Sequence, residues 1–216
     1  MNLNEQFVIT ISRELGSGGH TIGKKLAERL GVRFCDKELI KELSKRFDLT
    51  PQSIERLKSE KKNWLTDFIK RIAPAPSPAG FISSNSIYGK EFNPTVTTDE
   101  IFYAEKEILR AMAEAESCVI AGRSGFFVLQ DFPNKVDIFI TASKENRIVR
   151  TMKKQNFPRE LAEEVLGKVD KARENYIERY AKVSRYDARN YSLTMNVDGM
   201  TEDEAVEVIL DFIAKK

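Results

Sequence analysis

FVITISRELGSGGHTIGKKLAERLG, residues 7–31, joins an apolar β-rich run, a glycine-rich turn and an amphipathic helical pattern within one stretch. Residues 7–11 read as a buried strand, and residues 21–30 place Ile22, Leu26, Ala27 and Leu30 on one face of a helix. Between them lies Gly16-Ser17-Gly18-Gly19. In that order, successive backbone N–H groups and the positive end of the helix can converge on one anion. Glycine suits the loop because a larger residue would block the tight turn and the approach of phosphate oxygens.

The loop departs from the phosphate-binding formula GxxxxGK[ST]. If Thr21 takes the place of the hydroxyl that closes such a loop, Gly19 stands where a lysine would reach the β- and γ-phosphates. Lys24 lies too far along the helix to reach back. The backbone cradle survives this change, but a charge-assisted contact worth roughly 1.5–3 kcal/mol must come from another cation. Arg13, just after the strand, is the nearest, and its planar fork suits phosphate oxygens. The alternative for Arg13 is a surface ion pair with Glu14. His20 either donates to phosphate or is solvated at the helix start, and Thr21 is the best remaining hydroxyl for Mg²⁺ or phosphate.

Asp36 raises a rival reading, because it follows Gly16 by about 20 residues, where a dinucleotide fold keeps the acid that binds ribose. The third glycine of GxGxxG would then be Thr21, and that mismatch counts against dinucleotide binding.

The 216 residues are enough for one buried core, and 41% hydrophobic with 31% charged residues describe an ordinary globular chain. A net charge of +2 gives no bulk attraction for nucleic acid, so anion specificity has to come from clustered Arg and Lys. Cys35 and Cys118 sit in separate apolar stretches and read as reduced core thiols, and His20 is the only histidine. No apolar run approaches the roughly 20 residues of a membrane span, and MNLNEQ lacks the regions of a signal peptide, so a cytoplasmic location is expected.

Five β-rich runs stand out, at 7–11, 32–35, 118–121, 136–141 and 191–197. Most are continuously apolar, as strands buried on both faces of a parallel sheet are. Helical patterns separate them. Asp36 can cap a helix running through Phe47, and Thr50-Pro51 reads as an N-cap and first helical residue opening a helix toward Ile72. Thr97 with Glu100 and Thr201 with Glu204 both fit the capping box. The alternation predicts an α/β sandwich on a five-stranded parallel sheet, with ligands at the carboxyl ends of the strands. Segment 73–95, rich in Pro, Ser, Gly and Asn, reads as a long loop, a lid or a partner-binding arm.

Further cations follow the third strand. Arg123 in Ala121-Gly122-Arg123-Ser124-Gly125 falls at a strand's carboxyl end, Arg147 and Arg150 lie on the next helix, and Asp170, Lys171, Arg173 and Arg179 lie on a longer one. Taken singly, each helical cation could belong to a solvated face. Together, ISRELGSGGHTIGKKLAERLG with FCDKELI, VIAGRSGFFVL, VDIFITASKENRIVR, and VDKARENYIERY leading to NYSLTMNVDGMTEDEAVEVIL resemble the cytidylate kinase-like family of P-loop nucleoside monophosphate kinases.

That resemblance implies a single three-layer α/β/α domain with a P-loop NTPase-like core at 1–48 and 97–216, a monophosphate-binding insertion at 49–96, and a lid that brings arginines to the transferred phosphoryl group. By position, Gly16, Ser17, Gly18, Gly19, His20 and Thr21 would bind ATP phosphates with Mg²⁺ at Thr21, and Asp36 and Asp170 would lie near the acceptor. Arg13, Arg123, Arg147, Arg150 and Arg173 would neutralise charge during transfer to (d)CMP or a related monophosphate. The implied partner is a small-molecule nucleotide, with neither nucleic acid nor membrane. Gly19, Ala121 and Ser124 depart from the pattern of cytidylate kinase itself, which has lysine at the first and acids at the other two.

Overall fold

The computed structural model describes residues 1–51, 53–54, 96–122 and 124–216. Arg123, segment 73–95 and most of the helix expected after Thr50 lie outside the described residues. The start of that helix is within them: Ser53 N–H donates to Thr50 Oγ1 at 3.1 Å and Ile54 N–H to Thr50 O at 3.1 Å, as an N-cap requires.

Strand β1 (Val8–Arg13) leads through the glycine loop into α1 (Gly19–Leu30). Next come β2 (Arg33–Cys35), α2 (Lys37–Phe47), α3 (Thr98–Ala115), β3 (Cys118–Ala121), α4 (Gly125–Val128) and β4 (Lys135–Thr141). The chain finishes with α5 (Lys144–Gln155), α6 (Arg159–Ala181), β5 (Leu193–Asn196) and α7 (Glu202–Lys215). Both capping boxes form, at Thr97 with Glu100 and at Thr201 with Glu204.

The five strands pair in parallel in the order β2-β3-β1-β4-β5. A dinucleotide fold would set β2 directly beside β1. Here β3 lies between them, which removes that rival. All strands point their carboxyl ends the same way, so the loops after β1, β2 and β3 gather at one edge of the sheet.

Both faces of the sheet are covered. Ile9 and Ile11 of β1 and Ile138 and Ile140 of β4 pack with Leu26 of α1 and Ile209 of α7. Val8 and Ile120 turn the other way, against Leu39 and Leu43 of α2 and Leu109 of α3. The continuously apolar strands seen in the sequence are therefore two alternating faces, each buried under helices. A third cluster joins Ile148 of α5 to Leu161, Val165 and Leu166 of α6, with Leu15 of the glycine loop packed against it.

Cys35 and Cys118 are both free and buried, on neighbouring strands β2 and β3. A hydrogen bond with Cys35, together with burial, pushes the Cys118 thiol up. We expect neither thiol of the native protein to react with Ellman's reagent at pH 8, and both to react once guanidinium unfolds the chain. Leu26 is fully buried, and Leu26→Ala should cost about 2–5 kcal/mol in a denaturant titration.

Candidate functional site

The glycine loop turns on two residues in the left-handed region, Gly16 at φ +80° and Gly18 at φ +87°. At Gly16 the constraint is doubled, because an added Cβ would lie 2.6 Å from the Arg147 carbonyl oxygen. Ser17 is buried; its hydroxyl donates to Glu14 O at 2.9 Å and accepts the Gly19 N–H at 3.4 Å. Helix α1 starts at Gly19, two residues before the expected Thr21, with Gly18 as its N-cap. Its first turn therefore presents the amides and positive end of a helix to the space above the strands.

The lysine position has a steric explanation that the sequence did not display. A Cβ on Gly19 would lie 2.7 Å from Arg13 Cβ, and one on Gly122 would lie 2.0 Å from Arg13 Nη1. The Arg13 side chain runs through the slot that these two glycines leave open, from the start of α1 to the end of β3. Its guanidinium reaches Asp36, with Nη2 3.8 Å from Oδ1. The alternative ion pair with Glu14 is replaced by another: Glu14 Oε1 accepts from Arg147 Nη1 at 3.0 Å.

Asp36 occupies the N-cap position of α2 without bonding the helix through its side chain. This corrects the capping expectation. The carboxylate instead meets His20 Nε2 at 2.8 Å, bringing together two residues that the sequence had marked separately. Phe34 stands edge-on to the His20 ring at 5.3 Å.

The helical cations converge on the loop's carbonyl oxygens. Arg147 Nε donates to Leu15 O at 2.8 Å and Arg150 Nη1 to Ser17 O at 2.5 Å, while Arg173 Nη1 donates to Arg13 O at 3.2 Å. Asp170, nearly buried, binds Arg147 through Oδ2, and its Oδ1 accepts the Leu15 N–H at 3.0 Å and lies 3.5 Å from Arg173 Nη1. Sequence reading passed over one member of this cluster: Arg185, 4% exposed, whose Nη2 donates to Arg13 O at 2.6 Å. It follows α6 in a segment with no helical period, so nothing local marked it. Burial pushes the nearby Tyr191 hydroxyl up to about 12, and that hydroxyl donates to Arg185 O at 2.8 Å.

Beside the loop lies a cavity of about 310 Å³ whose lining includes Gly16, Val149, Arg150, Lys153, Asp198 and Met200. Val149 and Met200 are among its exposed apolar walls. Asp198 is held below the usual carboxylate range by hydrogen bonds from Asn146 and Ser143.

A five-stranded parallel sheet in the order β2-β3-β1-β4-β5, with a glycine-rich turn between its central strand and first helix, is a P-loop NTPase-like α/β fold. The sequence model of the cytidylate kinase-like family matches residues 8–199, and the chain belongs to that family. An uncharacterized protein from Eubacterium ventriosum has a similar structure, with a TM-score of 0.69 and 25% identity, the match covering 98% of this chain and 100% of the other. Shikimate kinase from Bacteroides thetaiotaomicron shares the fold at a TM-score of 0.52 and 15% identity, over 96% of this chain and 98% of that one. A gluconokinase from Sinorhizobium meliloti does so at 0.50 and 14%, over 97% and 93%.

Two substitutions test this geometry. Gly19→Lys should destabilise by about 1–3 kcal/mol through overpacking against Arg13 Cβ, and in an Arg13→Gly background, which lacks that atom, the same substitution should cost much less in a thermal melt. Asp170→Asn leaves buried guanidiniums short of their counter-charge and should cost about 3–5 kcal/mol.

Proposed function

We propose that this protein transfers a phosphoryl group from Mg·ATP to a nucleoside monophosphate, (d)CMP or a close relative. The observation that carries the reading is the course of Arg13, whose aliphatic stem packs on Gly19 at the lysine position and whose guanidinium lies by Gly122 and Asp36, at the ends of β3 and β2. Phosphoryl transfer needs positioning and charge neutralisation rather than a covalent nucleophile. The amides of Gly16, Ser17, Gly18 and Gly19, with His20 and Thr21, would hold the donor's phosphates. Arg13 and Arg123 would supply the charge of the absent lysine, with Arg147, Arg150 and Arg173 behind them. The cavity walled by Val149 and Met200 suits the donor's flat base.

Among the described residues no group of three or more His, Cys, Asp or Glu could hold a metal by itself. Mg²⁺ needs no such cluster, since it keeps several waters and binds through one or two protein oxygens plus phosphate oxygens. Thr21 would provide the hydroxyl, and the ion would neutralise charge on the phosphates. Asp36 would face the acceptor, and residues 49–96 would complete its pocket as an insertion in a single domain; Asp170, expected beside the acceptor as well, is buried against the Leu15 amide and Arg147 and would hold the loop instead.

A second reading, a non-catalytic nucleotide sensor, draws support from Arg147, whose guanidinium is spent on Leu15 O, Glu14 and Asp170. Incubation with ATP, Mg²⁺ and each monophosphate in turn separates the two. We expect ADP and a nucleoside diphosphate to accumulate with a cytidine acceptor; thermal stabilisation by ATP without turnover on any acceptor would favour the sensor.

A further inference from the structure

Arg185 is unusual in what it costs. A guanidinium almost wholly removed from water loses its hydration, and its Nη1 has no hydrogen-bond partner among the described groups, lying 3.8 Å from Asp170 Oδ1. Phe139 and Tyr186 flank it at 5.9 and 5.4 Å. An apolar side chain of similar volume would pack against those rings without that penalty. What the guanidinium does that an apolar group could not is donate to the Arg13 carbonyl.

That carbonyl is in a special place. The pairing of β1 with β3 ends at Ile11 and Ala121, whereas the pairing with β4 runs on to Arg13 and Ile140. The Arg13 peptide therefore lies past the last β1–β3 pair, and Arg185 and Arg173 supply its acceptor with donors. On the far side of the same peptide, Glu14 N–H donates to Ile140 O at 3.1 Å. Because a trans peptide is planar, its C=O and the following N–H point in opposite directions. Holding both ends fixes the plane from which the Arg13 side chain departs and the loop begins. Arg147 on Leu15 O and Arg150 on Ser17 O act alike on the next alternate peptides, turning the Gly16 and Gly18 amides away from the arginines.

We propose that Arg185 is a positioning residue of the phosphate-binding loop, setting through the Arg13 carbonyl both the course of Arg13 between Gly19 and Gly122 and the aim of the loop's amides. Arg173 shares the carbonyl, but its side chain is 34% exposed against 5% for Arg185, so Arg185 is the more sheltered hold. The consequence for catalysis rests on the phosphotransferase reading; the consequence for the loop does not.

The test compares the full-length wild type with Arg185→Met, Arg185→Lys and a core control, Ile209→Val, which lies on α7 in the opposite layer. Hydrogen exchange of the peptide spanning residues 13–19 is followed without ligand, and ADP binding by calorimetry. We expect Arg185→Met to speed that exchange and weaken ADP about tenfold, the loss expected for one charge-assisted hydrogen bond. Arg185→Lys should fall between it and the wild type, and Ile209→Val should lower Tm while leaving both readouts alone. A folded Arg185→Met with wild-type exchange and affinity overturns the proposal, as does an Ile209→Val that reproduces both changes. Should Arg185→Met not fold, Arg185→Lys carries the test, and wild-type values in it overturn the proposal. Faster loop exchange in Arg185→Met, alongside a wild type that binds no ADP, upholds the positioning role and sinks the phosphotransferase reading instead.

Discussion

A single carboxylate, that of Asp170, joins the glycine loop to the helices that surround it. It accepts the Leu15 amide, binds Arg147 and lies within ion-pair reach of Arg173 and Arg185. Three guanidiniums packed this closely would repel one another and lose their hydration without a shared counter-charge. With it, they become donors aimed at backbone oxygens. The carbonyl groups of Arg13, Leu15 and Ser17 are thus held from outside the loop, which turns the Gly16 and Gly18 amides away from the arginines.

A second close fit concerns Arg13. Arg13 can lie along the start of α1 only because Gly19 and Gly122 carry no side chain. The glycine at the lysine position and the arginine at the end of β1 are therefore one arrangement and not two independent changes. A lysine in this position would compete for the space that Arg13 fills. Asp36 orients the far end of Arg13, and by meeting His20 it also ties the start of α1 to the end of β2 across the intervening β3.

Much of the fold was legible along the chain because its signals are local. Alternating burial on both sheet faces, capping boxes at Thr97 and Thr201, and the strand-loop-helix order at residues 7–31 each arise within a few residues. The marked arginines Arg13, Arg147, Arg150 and Arg173 do gather at the loop. Their partners were not legible: Glu14 looked like the natural mate of Arg13, yet it binds Arg147, and Asp36 looked like a cap, yet it binds His20. Proximity along the chain says little about which of several charges a guanidinium meets after the helices dock. Arg185 left no trace, since a lone arginine in an irregular segment has no period to show which side it faces.

The amino-acid sequence by itself determined the class of the fold and the existence of a glycine-rich turn between the first strand and first helix, because hydrophobic period, caps and glycine placement act over one or two turns of chain. Only the tertiary structure decided how that turn is held: which guanidinium takes which carbonyl, why Gly19 has no room for a side chain, and where β3 enters the sheet. The carbonyl pairings depend on contacts between residues more than a hundred positions apart, such as Arg13 with Arg173 and Arg185, and the exclusion at Gly19, though its cause is the nearby Arg13, exists only once the loop has folded that side chain back along α1.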